Sequence, residues 1–405
     1  MRLPNAKSDI CFILSWFSQR FSRPSFKIFS SYIVSFIQLG KETHTSSMVK
    51  SISTAFLEKS LSCFTRFLGR NPWEVDDIMD LAVQRFFETL RIKGRSPLFL
   101  LLDDTIQEKT GKKIPGCAWY KDHARNMANV FGHQWVLAGL LWKDFLMPFW
   151  ARLYHSRKTK GCGRFQTKIA MAQKMLQNLR LPIPCKLYLL ADSWYWAQEL
   201  VKACHEHGYH MISQLKSNSV VEIKGKRTRV TDLDSCAGAF RDISLVLYGK
   251  AKDLKIAKWI GTIKGIGQVA VVVVKEKRKK TRYLVSTNFY LPALEILKYY
   301  ARRWKIEQMI KDLKQRLGFG EYQVRNLPGI LHHMTITLLS YFLLIMLKIF
   351  QSVRSSTVLP VFTIRALAAL VRRNILVETI TITLKTMRVR FKQNILDAYL
   401  EQMAA

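Results

Sequence analysis

The sequence is short of acid. It carries 29 Asp and Glu against 64 Lys and Arg, a formal charge of +35 over 405 residues. An imbalance of that size excludes an ordinary near-neutral surface and calls for a polyanionic partner, nucleic acid being the default. Cysteine is sparse and unpatterned. Cys11, Cys63, Cys117, Cys162, Cys185, Cys204 and Cys236 are odd in number and contain no CxxC pair. This argues against a disulfide framework or a zinc ribbon and fits a reducing compartment. The apolar stretch Ile10–Phe17 is not followed by a small-residue cleavage site, so no signal peptide is expected. Thr110-Gly111-Lys112-Lys113 lacks the upstream glycine that a phosphate loop requires. Internal repeats and low-complexity segments are absent.

Long apolar runs are almost absent too. Met334–Ile349 raises the question of a membrane span, but it is somewhat short, contains Thr335, Thr337, Ser340 and Lys348, and follows His332-His333. It reads as a buried core helix. The basic residues are spread along the chain instead of flanking a lipid anchor, so no membrane partner is expected.

What is present suggests an α/β fold. Residues 1–95 have apolar residues at helical spacing in Tyr32–Leu39, Ile52–Leu68 and Ile78–Leu90, with Asn71 as an N-cap and Pro72 at the first helical position. The apolar run Leu98–Leu102 reads as a buried strand stopping at Asp103-Asp104-Thr105. His133–Trp142 and Phe145–Tyr154 suggest two more strands joined at Lys143-Asp144. Phe165–Leu179 suggests a helix, Lys186–Ala191 a second buried strand ending in Asp192, and Trp194–His207 a helix. Val220–Ile223, Thr228–Val230, Phe240–Tyr248, Ala257–Ile263, Gln268–Lys275 and Arg282–Ser286 form a β-rich meander, an insertion or subdomain. Helices return as Leu294–Leu317, Gly329–Phe350 and Phe362–Ala404. The expected organisation is a helical region over 1–95, a core over 96–214 and 291–350 interrupted by a β-rich insertion over 215–290, and a basic helical region over 351–405.

Two strand ends carrying Asp103 and Asp192 offer hard oxygen donors suited to Mg²⁺, although Asp after a strand is also a common turn residue or cap. Tyr300, Arg303, Glu307 and Lys314 follow at spacings of 3, 4 and 7. On a helix they share roughly 60° of arc. A solvated face with Arg303 paired to Glu307 is the plain reading. A third metal carboxylate flanked by phosphate-gripping groups is the chemical one. Cys204-His205-Glu206-His207-Gly208 reads as a helix end capped by Gly208, with no second cluster to complete a zinc site. The hairpin tip Lys275–Lys280 suits a solvated loop or a DNA backbone contact.

Tyr300-x-x-Arg303-x-x-x-Glu307-x-x-x-x-x-x-Lys314 resembles the tyrosine–arginine–glutamate–lysine signature of DDE-type bacterial insertion-sequence transposases. Asp103-Asp104-Thr105 is similar to that family's first Asp motif, an Asp with a hydroxyl residue two places on. Asp103 is favoured by that spacing, and Asp104 stays open. Asp192-Ser193-Trp194-Tyr195 resembles the second, with Trp194 where a small residue is common. The resemblance runs from about residue 97 to 335.

It implies an RNase H-like catalytic domain interrupted by the β-rich insertion, with helical N-terminal and C-terminal regions. It implies a metal-dependent enzyme of cut-and-paste transposition in which Asp103, Asp192 and Glu307 bind two Mg²⁺ ions, Mn²⁺ substituting. Tyr300, Arg303 and Lys314 would hold DNA phosphates, and Trp304 would pack. It further implies a homodimer that synapses two double-stranded transposon ends, recognised by the helical region 1–95, in the cytoplasm with the nucleoid. The alternatives are an inactive DNA-binding descendant of such an enzyme and a basic protein anchored through Met334–Ile349.

Overall fold

The computed structural model of the chain describes residues 6–41, 47, 59–94, 96–111, 113–122, 126, 128–157, 159, 165–354 and 363–386. Four helices come first: α1 (Ala6–Ser15), α2 (Arg23–Leu39), α3 (Leu61–Gly69) and α4 (Val75–Leu90). Helix α2 starts where its sequence allows. The Ser22 hydroxyl accepts the Ser25 amide, and Pro24 occupies the first turn, where a missing N–H costs nothing. Helix α4 starts at Val75, not at Pro72. Asn71 is not its cap, because its side-chain amide instead donates to Ser25 Oγ at 3.2 Å. Part of the helix expected over Ile52–Leu68 lies outside the described residues.

The strands follow as β1 (Leu98–Glu108), β2 (Ala118–Asp122), β3 (Ala128–Trp142) and β4 (Phe145–Tyr154). Then come α5 (Lys168–Asn178), β5 (Leu187–Leu190), α6 (Gln198–Glu206) and β6 (His210–Leu215). Strands β7 (Val220–Ile223), β8 (Lys226–Arg229), β9 (Arg241–Leu247), β10 (Lys250–Ile263), β11 (Gly267–Glu276) and β12 (Arg282–Ser286) precede α7 (Ala293–Ala301), α8 (Trp304–Arg316), α9 (Leu327–Arg354) and α10 (Ile364–Thr386). Residues 387–405, the rest of the expected C-terminal helix, lie outside the described residues.

All twelve described strands join one sheet, in the order β2-β3-β1-β5-β6-β12-β11-β10-β7-β8, with β4 also on β3 and β9 also on β10. Within it, β3 is antiparallel to β1 and β4, while β5 and β6 run parallel to β1. The segment β4-β3-β1-β5-β6 is consistent with an RNase H-like core. The meander is not a separate sheet. Strand β12 pairs antiparallel with β6, from Tyr283↔Leu215 to Ser286↔Ile212, so its strands extend the core sheet at the β6 edge. The buried strand does not stop at Asp103 either. Strand β1 runs to Glu108, paired with β3 as far as Gly132.

The apolar run Met334–Ile349 lies in α9, whose residues from Ile330 to Leu347 are almost all buried. It packs against α1, α2, α3, α4, α10 and β4. Its apolarity is spent on protein, with each fully buried Leu, Ile or Phe contributing about 1.5–3 kcal/mol. His332 anchors the packing. Its ring nitrogens lie 2.6 Å from Leu68 O and 3.0 Å from Trp73 O, and its ring stacks on Trp73 at 3.9 Å. Arg372 of the basic α10 turns inward, donating to Ile37 O and Arg316 O at 2.6 and 3.2 Å.

Candidate active site

Register brings the two strand-borne aspartates together. The parallel pairing of β1 with β5 ends at Leu101↔Leu190. Asp103 stands two residues further along β1, and Asp192 two residues past the end of β5. Both line one cavity of about 690 Å³, with Asp104, Thr105, Lys168, Trp194 and Lys314 among its other walls. Beyond Leu190 strand β5 turns. The Asp192 carboxylate accepts the backbone N–H groups of Trp194 at 2.9 Å and Tyr195 at 3.4 Å, which fixes its direction and delays α6 to Gln198, four residues later than expected.

The long helix expected over Leu294–Leu317 is two helices. Arg302 and Arg303 keep helical dihedrals, but Arg302, Arg303, Lys305 and Ile306 each donate to the carbonyl three residues back. This tight turn separates α7 from α8. Arg302 Nη1 holds Lys143 O at 2.9 Å on one side of the turn. On the other, Arg303 reaches the site.

Arg303 is the hub. Its Nη1 stands 3.3 Å from Asp103 Oδ2, and its Nη2 is hydrogen-bonded to Glu307 Oε1. Glu307 therefore meets Asp103 through a guanidinium. Among the described residues, no three His, Cys, Asp or Glu side chains stand close enough to share one ion. Successive side chains of a strand alternate faces. Asp103 points to the α8 side and so shares a face with Glu307. Asp104 points to α5, where its carboxylate accepts from Lys168 Nζ at 2.6 Å, Gln134 Nε2 at 2.7 Å and Tyr195 OH at 3.3 Å.

The electrostatics follow from crowding. Burial, opposed by Arg303 and assisted by Asp104 and Asp192, raises the Asp103 carboxyl from 3.8 to about 7. Burial works against a charged Arg303, yet Tyr300, Asp103 and Glu307 hold it firmly protonated. Burial also raises the phenols of Tyr195 and Tyr300. Lys314 Nζ donates to Ile106 O at 2.7 Å, which ties α8 to the end of β1.

Residues 166–343 match a family described as transposase DDE domain, and residues 42–234 match one described as DDE superfamily endonuclease. The chain is 23% identical over 283 residues to a probable transposase for insertion sequence element IS701 of Microchaete diplosiphon, covering 65% of this chain and 69% of that protein. The similarities support a DDE transposase. The first matched segment contains Asp192 and Glu307, the second Asp103 and Asp192.

Of the residues singled out in the sequence, the fold brings Asp103, Asp192 and Lys314 to one cavity, and joins Glu307 and Tyr300 to it through Arg303. Trp304 is 46% exposed instead of packed, and its ring faces Tyr248 of the β9–β10 turn at 6.0 Å. Tyr248 has positive φ (55°), and neither its contact nor the roles of Lys168 and Gln134 is signalled by the local sequence. The helix end at Gly208 has φ +70°, with Tyr209 N donating to Cys204 O at 2.8 Å, a left-handed cap.

The donor set fits a hard divalent cation. Asp103, Asp104, Asp122 and Asp192 line one cavity, and Glu307 is held nearby by the Arg303 guanidinium that also compensates Asp103. Of the adjacent pair, Asp104 accepts from three side-chain donors, and Asp103 from Arg303 and the Asp104 backbone N–H.

Proposed function

We propose that the chain is a DNA transposase that cleaves the ends of its element and joins the freed 3′-OH to target DNA, in cut-and-paste transposition. Asp103, Asp192 and Glu307 would hold two Mg²⁺ ions, with Mn²⁺ able to substitute. When bound, such ions activate the attacking oxygen and stabilise the leaving one in an in-line displacement at phosphorus. The observation that carries the reading is the convergence of Asp103 and Asp192 on one cavity, with Arg303 bonded to both Asp103 and Glu307.

The side chains divide the work. Asp192 is aimed by two backbone N–H groups, and Asp103 by the strand. Arg303 compensates Asp103 and Glu307, so each must exchange the guanidinium for another cation to act as a ligand. A planar, permanently charged fork suits phosphate as well as carboxylate, and Arg303 can pass from one to the other. Tyr300 and Lys314 would add a phenol and an ammonium to the same phosphate grip. The partners are double-stranded transposon ends and target DNA, the working form is a homodimer, and the place is the cytoplasm with the nucleoid. The +35 charge supplies the non-specific part of DNA affinity through counterion release.

The test is Glu307→Ala. Strand cleavage and strand transfer are lost while binding to DNA carrying the cognate inverted repeats persists. A variant that still cuts supercoiled donor DNA with Mg²⁺ removes Glu307 from the chemistry.

A further inference from the structure

Asp104 and Tyr195 are among the most constrained polar groups beside the site, and the proposed chemistry uses neither. Asp104 lies on the face of β1 opposite Asp103. Its Oδ2 accepts from Lys168 Nζ at 2.6 Å and Gln134 Nε2 at 2.7 Å, and its Oδ1 from Tyr195 OH at 3.3 Å. These donors come from α5, from β3 and from the turn after β5. Lys168 and Asp104 are only 13% and 21% exposed, so the ion pair is largely shielded from solvent. Tyr195 is fully buried.

Tyr195 makes a second connection. Its backbone N–H donates to Asp192 Oδ1 at 3.4 Å, beside that of Trp194 at 2.9 Å. One residue therefore holds both aspartate-bearing segments, Asp192 by its main chain and the neighbour of Asp103 by its side chain. Ser213 Oγ braces the same turn, donating to Asp192 O at 2.8 Å.

We propose that Asp104 and Tyr195 are positioning residues, a strut between β1 and the β5 turn that sets how far apart the Asp103 and Asp192 carboxylates stand. Lys168 and Gln134 saturate Asp104 and keep it from competing as a ligand. The proposal rests on the reading of Asp103 and Asp192 as ion ligands. Groups that orient ligands without touching the ion change affinity by about 10–100-fold when removed. Loss of the strut lets the two carboxylates drift while both remain present, so ion binding weakens and saturating ion restores the reaction.

Tyr195→Phe is the clean perturbation, because it deletes one hydroxyl and keeps the ring that fills the core. Asp104→Asn keeps the shape and removes the charge opposite Lys168. Mn²⁺ binding to the full-length protein without DNA is measured by titration calorimetry, alongside thermal melting and the Mn²⁺ dependence of cleavage. Tyr195→Phe is expected to weaken Mn²⁺ binding about tenfold. Its half-saturating Mn²⁺ for cleavage rises in parallel, its rate at saturating Mn²⁺ stays within about twofold of wild type, and its melting temperature is essentially unchanged. Asp103→Asn is not rescued by Mn²⁺. Wild-type Mn²⁺ affinity in Tyr195→Phe overturns the strut. Loss of ion-saturated cleavage in Asp104→Asn, as deep as in Asp103→Asn, makes Asp104 a ligand and also overturns it. A wild-type chain that binds no Mn²⁺ overturns the underlying reading, and the strut with it.

Discussion

Asp103→Asn should stabilise the metal-free protein above neutral pH. In the fold the Asp103 carboxyl is raised from 3.8 to about 7 by burial, in spite of Arg303 and with help from Asp104 and Asp192. A folded-state value above the unfolded one favours the folded state fully below pH 3.8, and the benefit is lost as pH rises through 7. That difference corresponds to up to about 4 kcal/mol, at 1.36 kcal/mol for each tenfold change in the ionisation constant. The side chain is only 19% exposed, so solvent screens little of it. Asn is nearly isosteric with Asp, cannot ionise, and carries no such pH dependence. In urea unfolding with chelator, wild type should lose stability relative to Asp103→Asn between pH 4 and pH 8, the variant being the more stable at pH 8. Added Mg²⁺ should then stabilise wild type and leave the variant unmoved. A stability gap between the two that is the same at both pH values would refute the reasoning.

Three further outcomes are expected. Leu344→Ala empties a fully buried position on α9 and costs about 2–5 kcal/mol, read as a shift of the denaturation midpoint; a loss under about 1 kcal/mol would contradict a packed helical layer there. The Cys204 thiol is buried and pushed up to about 12, so at pH 8 alkylation followed by mass spectrometry should mark exposed Cys11 and Cys236 and leave Cys204 untouched until the chain unfolds. Equal labelling of Cys204 and Cys236 in the native protein would contradict the fold around α6. Lys314→Met should weaken DNA binding and reduce the slope of log affinity against log salt by about one; an unaltered slope would take Lys314 away from the phosphates.

Parts of the fold are plain in the chain. Leu98–Leu102 announces β1, because a strand covered on both faces has no polar alternation. The glycine and lysine clusters that divide residues 215–290 mark most of its strands to within two residues, but β10 begins at Lys250, seven residues before the expected Ala257. Neither signal contains pairing partners. That β12 joins β6, making the insertion an extension of the core sheet, depends on contacts distant in sequence. The break between α7 and α8 is equally silent, since Arg302 and Arg303 hold helical dihedrals (φ −66° and −54°) and have tertiary partners in Lys143 O and Asp103.

The site was legible as a set of residue types and not as an arrangement. Spacing placed Arg303 and Glu307 on one helix face and pointed to their pairing. It held no information that the same guanidinium reaches Asp103 across 200 residues. The choice between Asp103 and Asp104 turns on the pleat of β1 and on where α5 and α8 pack, which a local motif does not encode. The Asp104 network draws Lys168, Gln134 and Tyr195 from three separate segments, so only the folded chain displays it.

The central claim is that Asp103, Asp192 and Glu307 serve one divalent-ion site. Fe²⁺ in place of Mg²⁺, with ascorbate and peroxide, generates hydroxyl radicals that cut the backbone beside the bound ion. The account predicts fragments ending near residues 103, 192 and 307 together, all suppressed by excess Mg²⁺ and by Asp192→Asn. Cutting confined to one of the three positions, or centred on Cys204–His210, would contradict it.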